Sequence, residues 1–231
     1  MSNAQLSALK FLIVLVALVV SASAKAGLFD FGGDSWKEEV LLHDGQKIIV
    51  ERSQTYGGRS EPGQSGPGPI KEHSIHFTLP GTNQSVSWLS EYSIEAGRTN
   101  FNLLAVHVLK GVPYVVTEPN LCISYNKWGR PNPPYVFFKY EGNVWQRIPL
   151  EQFPAEFKTV NVAYNTLGQD ARTLVGLGFV SAEQLKKMFH SSSPVYKEIL
   201  RKRLNPEPCP LVPSGPKAPI PILTEPSQQE R

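Results

Sequence analysis

Histidine is the first side chain to examine, because convergent histidines bind metal ions and single ones carry protons. The chain has five, at positions 43, 73, 76, 107 and 190, and the only close pair is His73 and His76. Residues 74–79 alternate polar and apolar side chains as a strand does, and residues three apart on a strand point to opposite faces. The pair should therefore not chelate, and the sequence predicts no metal site and no bound cofactor.

Nucleophilic catalysis needs an activated serine or cysteine with a neighbouring base, and the local motifs for this chemistry are missing. There is no GxSxG, and Cys122 lies in an apolar, strand-like run, 121–123, that opposes thiolate formation. Paired-carboxylate hydrolysis stays open, since acids can converge from distant strands without a readable spacing. The acids available for it are Glu91, Glu95 and Glu118.

The segment 124–135, SYNKWGRPNPPY, has the densest set of recognition groups in the chain. Aromatic faces stack on sugar rings or peptide side chains, while amides and cations fix the orientation of a ligand. Glycine and three prolines predict that the segment stays out of regular structure. The candidate binding residues are Tyr125, Asn126, Lys127, Trp128, Arg130, Asn132 and Tyr135. The alternative is a structural loop whose aromatic rings cap the core.

Two cysteines, Cys122 and Cys209, are the only ones in the chain. A bridge between them would close a loop of nearly ninety residues and stabilise the fold by roughly 4 kcal/mol on the chain-entropy model. The alternative is a buried Cys122 and a free Cys209 in the tail. The pair is thus a candidate disulfide, provided that the chain reaches an oxidising compartment.

The elements that must position these residues are mostly strands, because two-residue alternation and short apolar runs prevail from Trp36 onward. Asp44-Gly45 predicts a type I′ hairpin with Val40 opposite Ile49, and its apolar residues on both faces predict cover on both sides. The other predicted strands lie in the ranges 74–79, 86–92, 103–109, 114–117, 135–140, 144–149 and 156–164. The stretch 101–109 could instead be a helix.

Helical signals occur only near the C-terminus. Ser181 and Gln184 have the spacing of a capping box, and Ser193-Pro194 predicts a second helix that runs to about Leu204. The predicted fold class is therefore mainly β to α+β, with antiparallel hairpins forming a sandwich or partly open barrel and two short C-terminal helices. The predicted organisation is a signal peptide at 1–26, a β-rich domain at 27–165, a helical segment at 166–204 and a proline-rich tail at 205–231.

That tail has prolines at 210, 213, 216 and 219, and polyproline II repeats every three residues. The four prolines would line one edge of an extended rod, which could serve as a spacer or docking strip. A disordered polar tail without a partner is the alternative. The glycine- and proline-rich stretch 57–69 is predicted to be a loop.

The first residues are typical of an export signal. Lys10 precedes the unbroken apolar run 11–20, and the small-x-small triplets at 22–26 suit a signal peptidase, which would leave Lys25 or Gly27 first. A helix over 11–24 would be roughly 21 Å long, short of the ~30 Å hydrocarbon core. The sequence thus predicts a periplasmic or secreted protein that meets the membrane only through a transient signal peptide.

The charge balance argues against nucleic acid as a partner. The formal net charge is +3, and it falls to +2 when residues 1–24 are removed, since Lys10 is the only charge among them. A nucleic-acid binder needs a dense stripe of lysine and arginine, and only the range 197–203 has a basic cluster. The partner expected is instead a protein or a glycan of the cell envelope.

The candidate loop and the strands after it, YVFFKYEGNVWQRIPL at 135–150, also carry a resemblance. Together with the hairpin at 36–51 and the segment 73–88, they resemble a group of short exported proteobacterial proteins known only as hypothetical. The resemblance covers about 36–154, and it implies export from a bacterial cell without implying an activity.

The leading hypothesis is a non-enzymatic envelope protein whose β-rich body presents the loop to a binding partner. One alternative is a cell-wall hydrolase that uses unrecognised carboxylates. Another is an accessory component of a secretion or conjugation apparatus, tethered through the proline rod.

Overall fold

The computed structural model describes residues 33–60, 68–164, 166–212 and 217. The eleven strands are β1 (Gly33–Leu41), β2 (Lys47–Tyr56), β3 (Ile70–Thr78), β4 (Ser85–Ser90), β5 (Tyr92–Ser93), β6 (Arg98–Thr99), β7 (Phe101–Leu109), β8 (Val112–Pro119), β9 (Val136–Glu141), β10 (Val144–Ile148) and β11 (Phe179–Val180). The three α-helices are α1 (Leu121–Lys127), α2 (Gln169–Val175) and α3 (Ala182–His190). Short 3₁₀ helices lie at Leu150–Gln152 and Pro194–Tyr196.

These strands form two main sheets and one small hairpin. The five-stranded sheet has the order β11-β1-β2-β3-β4, and the four-stranded sheet has the order β10-β9-β8-β7. All neighbours are antiparallel except β11, which runs parallel to β1, and β5 pairs with β6 by itself. The fold is therefore a β-rich α+β sandwich, as the alternation in the sequence predicted.

The main core lies between the two sheets. The five-stranded sheet contributes residues such as Val50, Phe77 and Trp88, and the four-stranded sheet contributes Val106 and Phe138 among others. In β2 the burial alternates strictly, so that one face enters this core and the other faces outward. This is the pattern expected for an antiparallel sheet with one solvated face.

The four-stranded sheet buries its second face as well. A second core, which includes Leu104, Tyr114 and Phe137 from the sheet, packs against Phe153 and Phe157 from the chain that follows β10. A register shift in β7 between Leu103 and Ala105 marks a β-bulge, and the core residues Leu104 and Ala105 both belong to this second face. The sheet is therefore covered by irregular chain rather than by a third sheet.

A smaller core joins the two C-terminal helices to β1. Val175 at the end of α2 and Leu185 of α3 pack with Trp36 and Val180. The helix α3 begins with the predicted capping box: the Gln184 amide donates to the Ser181 hydroxyl at 3.3 Å, and the Ser181 amide donates to the Gln184 side chain at 2.8 Å. This helix start is confirmed.

The first hairpin differs from the prediction by one residue. Val40 lies opposite Ile48 rather than Ile49, because only Gly45 of the Asp44-Gly45 pair adopts a positive φ, +86°. A type I′ turn needs a positive φ at both central residues. The turn here is of another type, and the pairing of the two strands is shifted by one residue. The prediction that both faces of this hairpin are covered is also wrong, since Ile49 is 45% exposed.

Two predicted C-terminal elements are absent for one shared reason. The strand expected at 156–164 has no ladder, and the helix expected at 193–204 is only the 3₁₀ turn Pro194–Tyr196. The two stretches bond to each other instead: the Val160 amide donates to the Lys197 carbonyl at 3.1 Å, and the Ile199 amide donates to the Lys158 carbonyl at 2.9 Å. Backbone groups used in this way cannot complete a helix. In their place the structure has α2, which the sequence did not predict.

The range 101–109 is a strand, so its helical alternative is wrong, while the strand pair β7-β8 and the hairpin β9-β10 are confirmed.

Among the described helices, none combines the length and the apolar character needed to span a bilayer. The predicted signal peptide, residues 61–67 of the predicted loop, and prolines 213, 216 and 219 lie outside the described residues.

Candidate functional site

The predicted recognition segment begins inside a helix rather than in irregular chain. Residues 121–127 form α1, which ends where Trp128 and then Gly129, at φ +85°, turn the chain toward β9. The apolar run that suggested a strand is too short to distinguish strand from helix by periodicity. Tyr125 and Asn126 are buried on the inner side of this helix. The expectation that the whole segment stays out of regular structure is therefore wrong for its first four residues.

A disulfide ties this helix to the C-terminal chain. Cys122 and Cys209 are bonded, with their Cα atoms 5.4 Å apart, so the candidate bridge is present in the structure. Beside it, the Asn126 side-chain amide donates to the Pro210 carbonyl at 3.0 Å. The Arg130 guanidinium donates to the same carbonyl at 2.8 Å and pairs with Glu207. These contacts all hold residues 207–210 against α1.

Asn132 and Tyr135 also bind the C-terminal chain. The Leu204 amide donates to the Asn132 side-chain oxygen at 2.6 Å, and the Asn132 side-chain amide donates to the Leu204 carbonyl at 3.0 Å. The buried Tyr135 hydroxyl lies 2.9 Å from the Val195 carbonyl and 3.0 Å from the Glu198 carbonyl. Four of the seven candidate binding residues therefore contact this chain's own C-terminal segment, although their role toward a partner stays a prediction.

The other three candidates have different surroundings. Lys127 donates to Glu95 at 3.0 Å. Hydrogen bonds from the Ser93 hydroxyl, from the Glu95 backbone and then from Lys127 lower the pKa of the Glu95 carboxyl to about 2. Tyr125 lies under the Arg130 guanidinium, 5.3 Å from the ring centroid, and its buried hydroxyl has no partner among the described residues. Trp128 is half-buried and lines an open groove.

This groove, which we call the Trp128 groove, has a volume of about 390 Å³. It lies between the edge of the five-stranded sheet at β4 and the β9-β10 hairpin of the four-stranded sheet. Its exposed lining includes Leu89, Glu91, Trp128 and Trp145. Two tryptophans and one glutamate thus line a cavity within the size range of ligand pockets.

Both indoles of the Trp128 groove are held in place. Trp128 packs on Phe101 with ring centroids 4.4 Å apart, and the Arg147 guanidinium lies 5.4 Å from its ring while donating to its carbonyl at 2.8 Å. Trp145 packs on Tyr140 at 5.1 Å. The Trp145 indole also donates to the Ser87 carbonyl of β4 at 2.6 Å, so it bridges the two sheets. Rigid, partly exposed aromatic rings of this kind are typical binding anchors.

Sequence reasoning named Trp128 and missed Trp145 as its companion. The signal available was the pattern of β10, where Trp145 is a large aromatic residue between the polar or exposed positions 144 and 146. Which sheet edge the ring would meet depends on the packing of the sandwich, which no local spacing encodes.

The three acids considered for hydrolysis do not converge. Glu91 lines the Trp128 groove, and Glu95 is paired with Lys127. Glu118 lines a separate cleft, together with Arg52 and Tyr196. Within the described ranges no three metal-ligating side chains form a cluster, and His73 and His76 face opposite sides of β3 as predicted. The pKa of His73 is lowered to about 4, mainly by burial and then by Arg52, so the ring is neutral near pH 7. Glu91, Glu95 and Glu118 therefore form no carboxylate pair with one another.

No protein-family model, curated protein or solved structure matches this chain.

Proposed function

We propose that this protein is an exported, non-enzymatic binding protein of the bacterial cell envelope, and that it holds a glycan at the Trp128 groove. The observation that carries the proposal is the pair of half-buried tryptophans, Trp128 and Trp145, which line one open groove together with Glu91. Aromatic faces provide apolar contact area for sugar rings, and a carboxylate accepts hydrogen bonds from their hydroxyl groups.

A glycan suits this groove better than a peptide strand. The strand β4 is at the edge of the five-stranded sheet, where an extended peptide could add by backbone hydrogen bonds. The Trp145 indole already donates to the Ser87 carbonyl on that edge. A peptide strand would have to displace this hydrogen bond, whereas a sugar ring can pack on the indoles without using the backbone of β4.

Export is supported by the disulfide and by two features of the sequence. Bridges such as Cys122–Cys209 persist in oxidising compartments, which include the periplasm and the extracellular space. The signal-like range 1–26 and the resemblance to exported proteobacterial proteins favour the same location. N-terminal sequencing of protein recovered from cells should start at Lys25 or Gly27, and an intact Met1 on cytosolic material would contradict the assignment.

Glycan binding is tested by co-sedimentation with purified murein sacculi and by titration with soluble oligomers of β-1,4-linked N-acetylglucosamine. Trp128→Ala and Trp145→Ala should each weaken binding about tenfold or more, as the loss of an anchoring aromatic does. Phe179→Ala removes an aromatic ring that is 44% exposed on β11, outside the groove, and should bind as the wild type does. Equal binding by all four proteins, or none by the wild type, would contradict the proposal.

A further inference from the structure

A second cavity, which we call the Arg98 cleft, shares no lining residue with the Trp128 groove. Its volume is about 300 Å³, and its polar lining comes from the β-sandwich and from the C-terminal chain. The residues that matter for its chemistry are Arg52, Arg98, Asn102, Glu118, Tyr164 and Tyr196.

Arg52 supplies a buried guanidinium at one wall of the cleft. The residue is only 4% exposed, and its Nη1 donates to Glu38 and to the Ala163 carbonyl, both at 2.8 Å. Its Nε is buried and has no hydrogen-bond partner among the described residues. A buried N–H without a partner is costly. The Glu38 pair and the Ala163 carbonyl fix the Arg52 guanidinium in the wall of the cleft.

Arg98 supplies the second guanidinium, and no carboxylate of the described residues neutralises its charge. Its Nε is also buried without a partner, and among the described residues it forms no ion pair. The charge of Arg52, by contrast, is balanced by Glu38. Among the described residues, Arg98 is therefore a cation without a counterion, and its planar donor group matches a carboxylate.

Glu118 supplies the opposite charge in the same cleft. Its carboxylate accepts hydrogen bonds from the Tyr196 hydroxyl at 3.0 Å and 3.2 Å to its two oxygens. Burial raises the pKa of Glu118, while the bonds from Tyr196 and Asn102 oppose that change. Glu118 has no cationic partner within the described residues, and it lies too far from Arg98 to form an ion pair.

Two tyrosines also line the cleft. Tyr164 and Tyr196 stack with centroids 4.6 Å apart and ring planes 10° from parallel. Such a pair offers apolar area to a side chain beside the two charged groups.

We propose that the Arg98 cleft binds a free α-amino acid, with its carboxylate on Arg98 and its ammonium group on Glu118. A cation and an anion that line one small cavity without contacting each other match the separated charges of a zwitterion. A simple anion would leave Glu118 unpaired, and a simple cation would leave Arg98 unpaired. The side chain of the amino acid would pack on the two stacked tyrosines.

The test is calorimetric titration of the full chain with each of the protein amino acids, followed by two derivatives of the best ligand. The N-acetyl derivative removes the ammonium charge and the methyl ester removes the carboxylate charge, and each should bind about tenfold more weakly or worse. Inorganic phosphate and acetate serve as anions without an ammonium group. Saturable binding of no amino acid, or binding of these anions as tight as that of the best amino acid, would overturn the proposal.

Two variants assign the charges to their residues. Arg98→Gln should abolish the preference for the free acid over the ester, and Glu118→Gln should abolish the preference for the free amine over the acetylated form. Arg172→Gln and Glu156→Gln change exposed residues outside the cleft and should retain both preferences. A thermal melt of each variant establishes that it is folded, and a folded Arg98→Gln variant with both preferences intact would contradict the site.

Binding at the Trp128 groove and binding at the Arg98 cleft can be tested independently of each other. Trp128→Ala should bind the amino acid normally, because the groove and the cleft share no lining residue. Arg98→Gln should still sediment with murein sacculi.

Discussion

The two sheets of the sandwich differ in how many faces they bury, and we describe the molecule as a five-stranded half and a four-stranded half on that basis. The five-stranded sheet keeps one face outward, so that Leu41 and Ile49 are nearly half exposed. The four-stranded sheet is buried on both faces, and its second face is covered by chain from 149–164 and 189–200. The first sheet has one solvated face, whereas the second is also covered by chain that has almost no regular structure.

Buried polar groups are satisfied differently in the two halves. In the five-stranded sheet, the Glu38 carboxylate accepts from Arg52, from the Trp36 indole at 2.6 Å and from the Ala163 amide at 3.0 Å. In the four-stranded sheet, the edge of β7 is completed by a side chain: the Val106 amide donates to the Asn161 side-chain oxygen at 2.9 Å, and the Asn161 side chain donates to the Val106 carbonyl at 2.8 Å. One half thus depends on a charge pair, and the other on neutral hydrogen bonds and a disulfide.

The largest expected effect comes from removing the disulfide that anchors the cover. Cys122 and Cys209 are separated by 87 residues, and on the chain-entropy model their bridge stabilises the fold by about 4–5 kcal/mol. The double variant Cys122→Ser, Cys209→Ser should therefore unfold at a much lower denaturant concentration. Hydrogen exchange should rise first in 195–210 and on the four-stranded sheet, and least in β2 and β3.

Chemical reduction provides the control for this prediction. Wild type treated with a reductant should melt at the temperature of the double variant, and the reductant should not change the variant itself. Equal midpoints for oxidised wild type and the variant would show that the cover does not depend on the bridge.

The next effect tests the five-stranded half. Glu38→Gln leaves the Arg52 charge buried at 4% exposure without its counterion, and breaking a buried pair in this way costs about 3–5 kcal/mol. Glu141→Gln removes the carboxylate from the more exposed Lys139–Glu141 pair and should change the midpoint little. Chemical denaturation of the two variants compares the pairs directly. A Glu38→Gln variant as stable as Glu141→Gln would show that the charge pair does not support this sheet.

Acid should destabilise both halves, because each sheet buries one histidine. The pKa values of His73 in β3 and of His107 in β7 are lowered to about 4, mainly by burial. Below pH 6.5 the unfolded chain binds protons that these folded rings do not bind, so stability is full above 6.5 and is lost as the pH falls to about 4. Each ring should contribute a loss on the order of 3 kcal/mol across that range.

Single variants separate the two contributions to acid sensitivity. His73→Asn and His107→Asn should each remove about half of the loss measured by denaturation at pH 7 and pH 4.5. His76→Asn changes a ring on the exposed face of β3 and should keep the wild-type pH dependence. A pH dependence that is the same in all three variants would contradict the assignment to the buried rings.

The same contrast explains how much of the fold could be predicted. Where one face is solvated, as in 74–79, the alternation of polar and apolar residues predicts a strand directly. Where both faces are buried, as in 103–109, the run is apolar except for His107, and a helix fits equally well. The helix start at Ser181 was predictable because the capping box is local. The 3₁₀ turn at 194–196 was not, since the residues after it bond to 158–160.

For the candidate recognition segment, the sequence showed which side chains are present but not the direction in which each side chain points. Irregular chain has no periodicity, so nothing local says that Asn132 and Tyr135 face the C-terminal segment while Trp128 faces an open groove. The Cys122–Cys209 pair gave the only readable link between the two regions. Beside that bridge, Asn126, Arg130 and Asn132 all donate hydrogen bonds to C-terminal carbonyls.

The smallest expected effect concerns one hydroxyl group within the cover. Tyr135→Phe leaves the Val195 and Glu198 carbonyls without the Tyr135 donor and should destabilise the fold by about 1 kcal/mol. Tyr125→Phe is the matched control, since the Tyr125 hydroxyl is buried without a partner among the described residues and its removal should be neutral or stabilising. Both residues lie in the same predicted recognition segment and lose the same atom. Denaturant midpoints that fall for Tyr135→Phe alone would show that the cover is held by specific hydrogen bonds, and equal changes would mean that ring burial alone holds it.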